Sequence, residues 1–296
     1  MKPAIAHFDP GQRATPVMPG WVAVGRAEAI EDMAFLSGAA LAHLQISTTC
    51  AQTPQALWRA RLALASAEVC VRFGGRPEGA SALRDTLHLT RPGDHPGPAG
   101  EVLGQWARAA ERPVSVAGLR RALPKVPAEK IALLLDTAQG TPVARAAAVI
   151  EAVLTDRPRA ETTALILGDA VLALALGWSH LLPLLATGLK PRDLRQTGAA
   201  LRLLCHRAVI TSARPAVQLA ADLARRADRL RAVAPKLRAK GAGQAVEMFL
   251  TRDAVAPSAL VPILSDRAAR RLCDRLVALG AVRELTGRDT FRLYGL

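Results

Sequence analysis

Apolar residues recur along most of the chain with a period near 3.6, which is the period of an α-helix. One run covers residues 27–44, and a second begins after Thr53 and stops at Gly74 and Gly75. Shorter runs, separated by prolines and other breaks, cover residues 80–89, 101–110, 115–123, 127–137 and 142–154. This pattern predicts a mainly α fold. Because no fixed repeat length appears, we expect an irregular multi-helix bundle.

Two segments interrupt or extend this pattern. Residues 91–100, RPGDHPGPAG, contain three prolines and three glycines, so we predict a rigid loop there. Residues 162–188 approach the length and apolarity of a membrane span. Asp169 and His180 would be costly in lipid, so we expect two buried helices with a break near residues 177–179, and no membrane partner.

A basic stretch follows two longer predicted helices, at residues 197–210 and 215–233. Residues 224–243 carry seven basic side chains against one aspartate, a net charge of +6, and Pro235 and two glycines break the helix. We therefore predict a domain boundary near residue 240. The predicted units are a disordered N-terminal arm (1–20), a helical domain (21–240) and a C-terminal domain (241–296).

The C-terminal domain has the pattern of three helices and a hairpin. The predicted helices cover residues 244–252, 257–264 and 266–279. Ser265 is a suitable cap for the third helix, and Gly280 is a suitable end. Two strand-like runs, around residues 282–285 and 291–293, flank a turn at 286–289. This order predicts a small winged helix-turn-helix with a two-stranded hairpin.

The third helix has one apolar stripe and one basic face. The stripe consists of Ala268, Ala269, Leu272, Leu276 and Leu279. Arg267, Arg270 and Arg271 lie away from it, together with Asp274. Arginines in the first two turns are typical of a recognition helix in a DNA major groove, where they bind guanine edges or phosphates.

Four further basic residues complete the predicted DNA-binding set. Arg288 is placed at the hairpin tip, and Lys236, Arg238 and Lys240 precede the domain. These residues are expected to hold the DNA backbone. The prediction is a DNA-binding protein, such as a transcriptional regulator, whose partner is double-stranded DNA and whose affinity depends steeply on salt.

The same pattern fits other functions. Arginines opposite an apolar stripe also occur on any solvated helix, and a fold does not determine a function. The alternative is a non-enzymatic interaction module, in which the winged helix binds another protein or forms a homodimer near Phe291 and Leu293.

The composition adds little to this choice. The net charge is +14, but 33 arginines against six lysines in an alanine-rich chain is also the composition that a GC-rich genome produces. Only local clusters of arginine therefore count. The four cysteines are well separated and predict buried free thiols in a reducing, cytoplasmic environment, and no metal or cofactor is predicted.

One group of residues suggests an enzyme. A pocket could form from five residues in and before the loop: Arg84, Asp85, Arg91, Asp94 and His95. The alternative is that these arginines and aspartates form ion pairs that fix the loop. No phosphate-binding loop, nucleophile elbow or zinc-protease motif is present, and the four tryptophans are expected to be core anchors.

Long runs resemble a bacterial family known as domain-of-unknown-function 1403. They include AFLSGAAL, GGRPEGASALRDTLHLTRPGDHPGPAG, LILGDAVLALALGW and the C-terminal LSDRAARRLCDRLVALGAVRELTGRDTFRLYGL. This resemblance covers nearly the whole chain and implies little about function. The run LGAVRELTGR at 279–288 also resembles the winged-helix tail of some Fic-type proteins, but the Fic catalytic signature is absent, so AMP transfer is not implied.

Overall fold

The computed structural model of the protein describes residues 17–24, 29–91, 93–136, 139–288 and 290–296. The predicted mainly α fold is confirmed: within these ranges there are thirteen α-helices and one two-stranded antiparallel hairpin. Most of the predicted disordered arm, residues 1–16, lies outside the described residues. Helix α1 begins at Gly20.

Helices α1 to α9 form the first part of the bundle. Their bounds are α1 Gly20–Val24, α2 Ile30–Thr49, α3 Gln55–Phe73, α4 Ala80–Leu89, α5 Gly97–Glu111, α6 Val116–Ala122, α7 Ala128–Asp136, α8 Pro142–Asp156 and α9 Glu161–Ala175. Helix α5 begins inside the segment predicted as a loop, because Pro98 stands in its first turn, where the missing N–H of proline has no helical partner to lose.

The apolar segment at 162–188 folds as α9, a loop and the short helix α10 (Leu185–Gly188). The predicted break is present, and Gly177 adopts a positive φ of 71° there. The buried carboxyl group of Asp169 accepts hydrogen bonds from the backbone N–H groups of Leu184 and Leu185, at 3.1 and 3.2 Å. Among the described helices, none combines the length and the apolarity that crossing a bilayer requires.

Helix α11 (Gly198–Val233) is a single helix of 36 residues, so the prediction of two helices was wrong. Pro215 lies inside it. Buried side chains on both flanking turns, including Ala213 and Val217, pack into the core and hold the helix together across the proline. Trp58 Nε1 also donates a hydrogen bond of 2.9 Å to the carbonyl of Ala216.

Three of the four tryptophans are core anchors, as predicted. Trp58 and Trp106 are completely buried, and Trp178 nearly so. Trp21 is 55% exposed, so the prediction was wrong for this residue. Its ring stacks on Phe35, with 5.8 Å between the centroids, whereas the core contact of α1 comes from its neighbour Val22, which is buried.

The C-terminal residues form a compact unit on the bundle. Its elements are α12 (Ala242–Thr251), a 3₁₀ turn (Pro257–Leu260), α13 (Asp266–Ala278), β1 (Arg283–Glu284) and β2 (Tyr294–Gly295). The helix predicted at 257–264 is only this turn, because Pro262 cannot continue it. Val255 forms an isolated antiparallel bridge to Tyr294 beside the hairpin. One cluster of buried apolar side chains joins this unit to the bundle.

Candidate nucleic-acid interface

Helix α13 presents a basic face because its opposite face is buried. Ser265 caps the helix: its hydroxyl oxygen accepts a hydrogen bond from the backbone N–H of Ala268, at 3.3 Å. The buried side chains are Ala269, Leu272, Cys273 and Leu276. Arg267, Arg270 and Arg271 are therefore left exposed to solvent.

The segment before α12 runs along α13 and forms with it what we call the basic cleft. Its lining residues are Lys236, Leu237, Arg238, Ala239, Ala268, Arg271, Leu272 and Arg275, and its volume is about 470 Å³. Four cationic side chains and no carboxylate are among these residues. The structure thus brings Arg271 together with Lys236 and Arg238.

Lys240 lies in an adjoining cleft, which the residues before α13 also line. The close approach of the basic segment to the residues before α13 depends on Gly241, whose φ is 97°. A Cβ at this position would stand 2.8 Å from the carbonyl oxygen of Ile263. Only glycine lets the basic segment turn so close to the start of α13.

Arg270 and Arg288 do not lie in the basic cleft. Arg270 pairs with Asp266 of its own helix, at 3.1 Å, and faces a separate hairpin cleft, of about 640 Å³, between α13, α4 and the hairpin. Arg288, in the loop between the strands, forms an ion pair with Asp85 of α4. The positive charge of Arg288 is therefore balanced by the bundle.

Arg275 is a member of the basic cleft that the sequence analysis missed. It follows Arg271 by four residues, and side chains at this spacing lie one above the other on a helix. That spacing is the signal that could have identified it.

The five residues of the predicted enzyme pocket are not brought together. Asp85 and Arg91 line the hairpin cleft, with His88. Asp94 and His95 are exposed and do not line it. Arg84 is nearly buried and pairs with Asp253, with Nε 2.6 Å from Oδ2.

Asp253 joins two arginines of the bundle to the C-terminal unit. Arg61 Nε lies 2.7 Å from its Oδ1, and Arg61 also donates hydrogen bonds to the carbonyl oxygens of Asp253 and Leu296. Burial lowers the pKa of the Arg61 guanidinium, while the charge of Asp253 opposes this change. The arginine that the sequence suggested for chemistry, Arg84, thus has a structural partner.

The buried cysteine thiols are poor nucleophiles. Burial raises the pKa of Cys70 to about 11 and that of Cys205 and Cys273 to about 12, so these thiols stay protonated near neutral pH. Burial also lowers the pKa of His88. In the described ranges, no three His, Cys, Asp or Glu side chains are placed to hold a metal ion.

Comparison with known proteins gives a family and no activity. The model of the family described as "Protein of unknown function (DUF1403)" matches residues 8–296. No curated protein matches the chain.

Proposed function

Because the chain belongs to the DUF1403 family, whose description gives no function, we propose from its own surface that its C-terminal unit is a winged helix-turn-helix that binds duplex DNA. The observation that carries this proposal is the basic cleft. Lys236, Arg238, Arg271 and Arg275 converge there without a carboxylate among the lining residues. Such a concentration of uncompensated charge suits a polyanion.

In this proposal α13 is the recognition helix. Its first two turns enter the major groove, where Arg267 and Arg271 contact base edges or phosphates. The basic segment beside it holds the DNA backbone through Lys236, Arg238 and Lys240, since lysine acts as a flexible point charge and arginine as a fork of donors. Arg275 extends the phosphate contacts by one helical turn.

The hairpin has the place of the wing. The order helix, bridge strand, 3₁₀ turn, helix and hairpin supports this interpretation. Arg288 reaches DNA only after it leaves Asp85, and Arg270 only after it leaves Asp266. We therefore assign these two arginines a secondary part in binding.

The experiment is a fluorescence anisotropy titration of a labelled duplex with the full-length protein. The variant Arg271→Ala/Arg275→Ala should bind at least about tenfold more weakly, since each phosphate or base contact contributes about 1–3 kcal/mol. It should also show a smaller slope of log K against log salt concentration. The matched control is Arg72→Ala/Arg192→Ala, which removes two exposed arginines outside the basic cleft. Equal binding by both variants would exclude the recognition helix.

A second candidate function, protein interaction, has one specific observation in its favour. Phe291 is 71% exposed in the loop between the strands and has a positive φ of 55°. A positive φ at a non-glycine residue is uncommon, and aromatic residues are enriched at protein interfaces. Leu293, the other residue of the predicted interface, is buried and is not available. Light scattering that shows a dimer, lost in Phe291→Ser, together with no binding of duplex DNA, would favour this function.

A further inference from the structure

A second basic site lies at the other end of α13, between α11 and the start of the hairpin. We call it the arginine cavity, and its volume is about 270 Å³. Its lining residues are Asp222, Arg225, Arg226, Arg229, Gly280, Ala281, Val282, Arg283 and Leu296. Since α13 spans thirteen residues, roughly 20 Å of helix separate this cavity from the helix start. The arginine cavity and the basic cleft have no lining residue in common.

The spacing of the α11 residues explains why their side chains converge. Residues 225 and 226 follow residue 222 by three and four positions, and residue 229 follows them by four and three, so all four share one helical face. The opposite face of α11, with Leu223, Ala227 and Leu230, is buried. Strand β1 then brings Arg283 to the same space, because its backbone pairs with Gly295.

The charges in this cavity are not balanced. Asp222 is the only carboxylate side chain of the lining, and it bonds to Arg225 at 3.1 Å and to Arg226 Nε at 2.7 Å. Within the described residues, Arg229 and Arg283 form no ion pair. Four guanidinium groups against one carboxylate leave a net charge of +3 on the lining side chains.

The arginines also affect one another. The pKa of Arg283 is lowered, first by partial burial of its guanidinium and then by the charge of Arg226. Like charges held together in this way raise the free energy of the empty site, and a bound anion offsets their repulsion.

We propose that the arginine cavity binds the phosphate group of a small phosphorylated molecule. Guanidinium groups match phosphate oxygens with paired hydrogen bonds, and several of them can surround one phosphate. A volume of about 270 Å³ is slightly below the range of about 300–1,000 Å³ typical of drug-sized ligands. It therefore suits a phosphate group with a small carrier.

Thermal unfolding with inorganic phosphate and pyrophosphate tests this inference, with sodium chloride at equal ionic strength as the reference. Millimolar anion should raise the Tm of the full-length protein by about 2–4 °C. This is the shift expected when the anion concentration is about five times its Kd. Arg229→Ala and Arg283→Ala should lose most of this shift. Both side chains are exposed, so the variants should fold, and circular dichroism checks that they do.

Arg231→Ala is the matched control. Arg231 lies on the same helix and pairs with Asp228 outside the cavity, so this variant loses the same charge. It should keep the wild-type shift. If all variants respond alike, or if the wild type responds no more to pyrophosphate than to chloride, the proposal is wrong.

A titration with duplex DNA separates this site from the proposed function. Arg229→Ala and Arg283→Ala should bind duplex DNA within about threefold of the wild type, because they retain the basic cleft. If they instead lose DNA binding as strongly as Arg271→Ala/Arg275→Ala, and the wild type shows no shift with phosphate, the cavity is part of the DNA surface and this inference fails. A shift with phosphate in a protein that binds no DNA would overturn only the proposed function.

Discussion

Asp85 on α4 accepts a hydrogen bond from Nη2 of Arg288 in the hairpin loop, and 203 residues of chain separate the two. The Asp85 side chain is mostly buried, whereas that of Arg288 is half-exposed. This pair joins the bundle to the loop that we interpret as the wing. It places a carboxylate beside a cation to which the proposed function gives a secondary part in DNA binding.

Asp85→Asn should therefore strengthen binding of duplex DNA. A half-exposed ion pair contributes about 0.2–1 kcal/mol, so its loss should free Arg288 and lower Kd by roughly twofold to fivefold. Anisotropy titrations at fixed salt measure this change. The control is Asp156→Asn, which removes an exposed carboxylate paired with Lys130. If the two variants bind equally well, the ion pair does not restrain the hairpin.

Local sequence patterns predict which segments are helical better than they predict where each helix begins and ends. The stripe of Leu272 and Leu276 was found because burial follows helical spacing within α13 itself. The pattern predicts two helices, with Pro215 at the start of the second, but packing on both sides of the proline lets a single helix continue through it. The exposure of Trp21 was also not predictable, because it depends on how α1 packs on the rest of the protein and not on the local sequence.

The candidate site could be predicted only where its residues are close in sequence. Lys236 and Arg238 stand out as a basic run a few residues before α12, and Arg271 as part of the basic face of α13, so local patterns reveal both halves of the cleft. The partners of Arg84 and Arg288 lie 169 and 203 residues away along the chain. Nothing in a single sequence specifies such pairs, so these arginines were assigned to chemistry and to DNA.

Asp253→Ala should destabilise the protein strongly. It leaves Arg61 and Arg84, whose side chains are only 10% and 15% exposed, as two unpaired cations. Removal of one partner from a buried ion pair costs about 3–5 kcal/mol of the free energy of unfolding. Urea denaturation followed by circular dichroism measures this loss. Asp156→Ala, at an exposed pair, should cost no more than about 1 kcal/mol, and equal losses would show that the contact with Asp253 is unimportant.

Asp169 should make the stability depend on pH. Burial raises the pKa of its carboxyl well above the ordinary value of 3.8, and the two backbone N–H groups only partly oppose this. Between the ordinary pKa and the raised one, the unfolded chain has lost the proton while the folded protein keeps it. The stabilising contribution is therefore complete below pH 3.8 and is lost as pH rises through the raised pKa.

The variant Asp169→Asn does not titrate and provides the comparison. Below pH 3.8 the two proteins should have similar free energies of unfolding, because the carboxyl is protonated in the folded and the unfolded chain and the amide resembles the protonated acid. As pH rises toward 7, the wild type should lose stability relative to the variant by up to about 1.4 kcal/mol per pH unit. Urea denaturation at several pH values measures the difference, and parallel curves would show that Asp169 is ionised in the folded protein.

Two substitutions of Ser265 should separate folding from DNA binding. Ser265→Ala removes the cap of α13 and should lower the free energy of unfolding by about 1 kcal/mol. Ser265→Asp should restore that stability, because aspartate caps helices as well as serine does. The aspartate also places a negative charge next to Lys240, on the proposed DNA surface. We expect the aspartate variant to be as stable as the wild type but to bind duplex DNA several-fold more weakly. The alanine variant should be less stable than the wild type but bind duplex DNA with the same affinity. If DNA affinity follows stability in both variants, the start of α13 does not contact DNA.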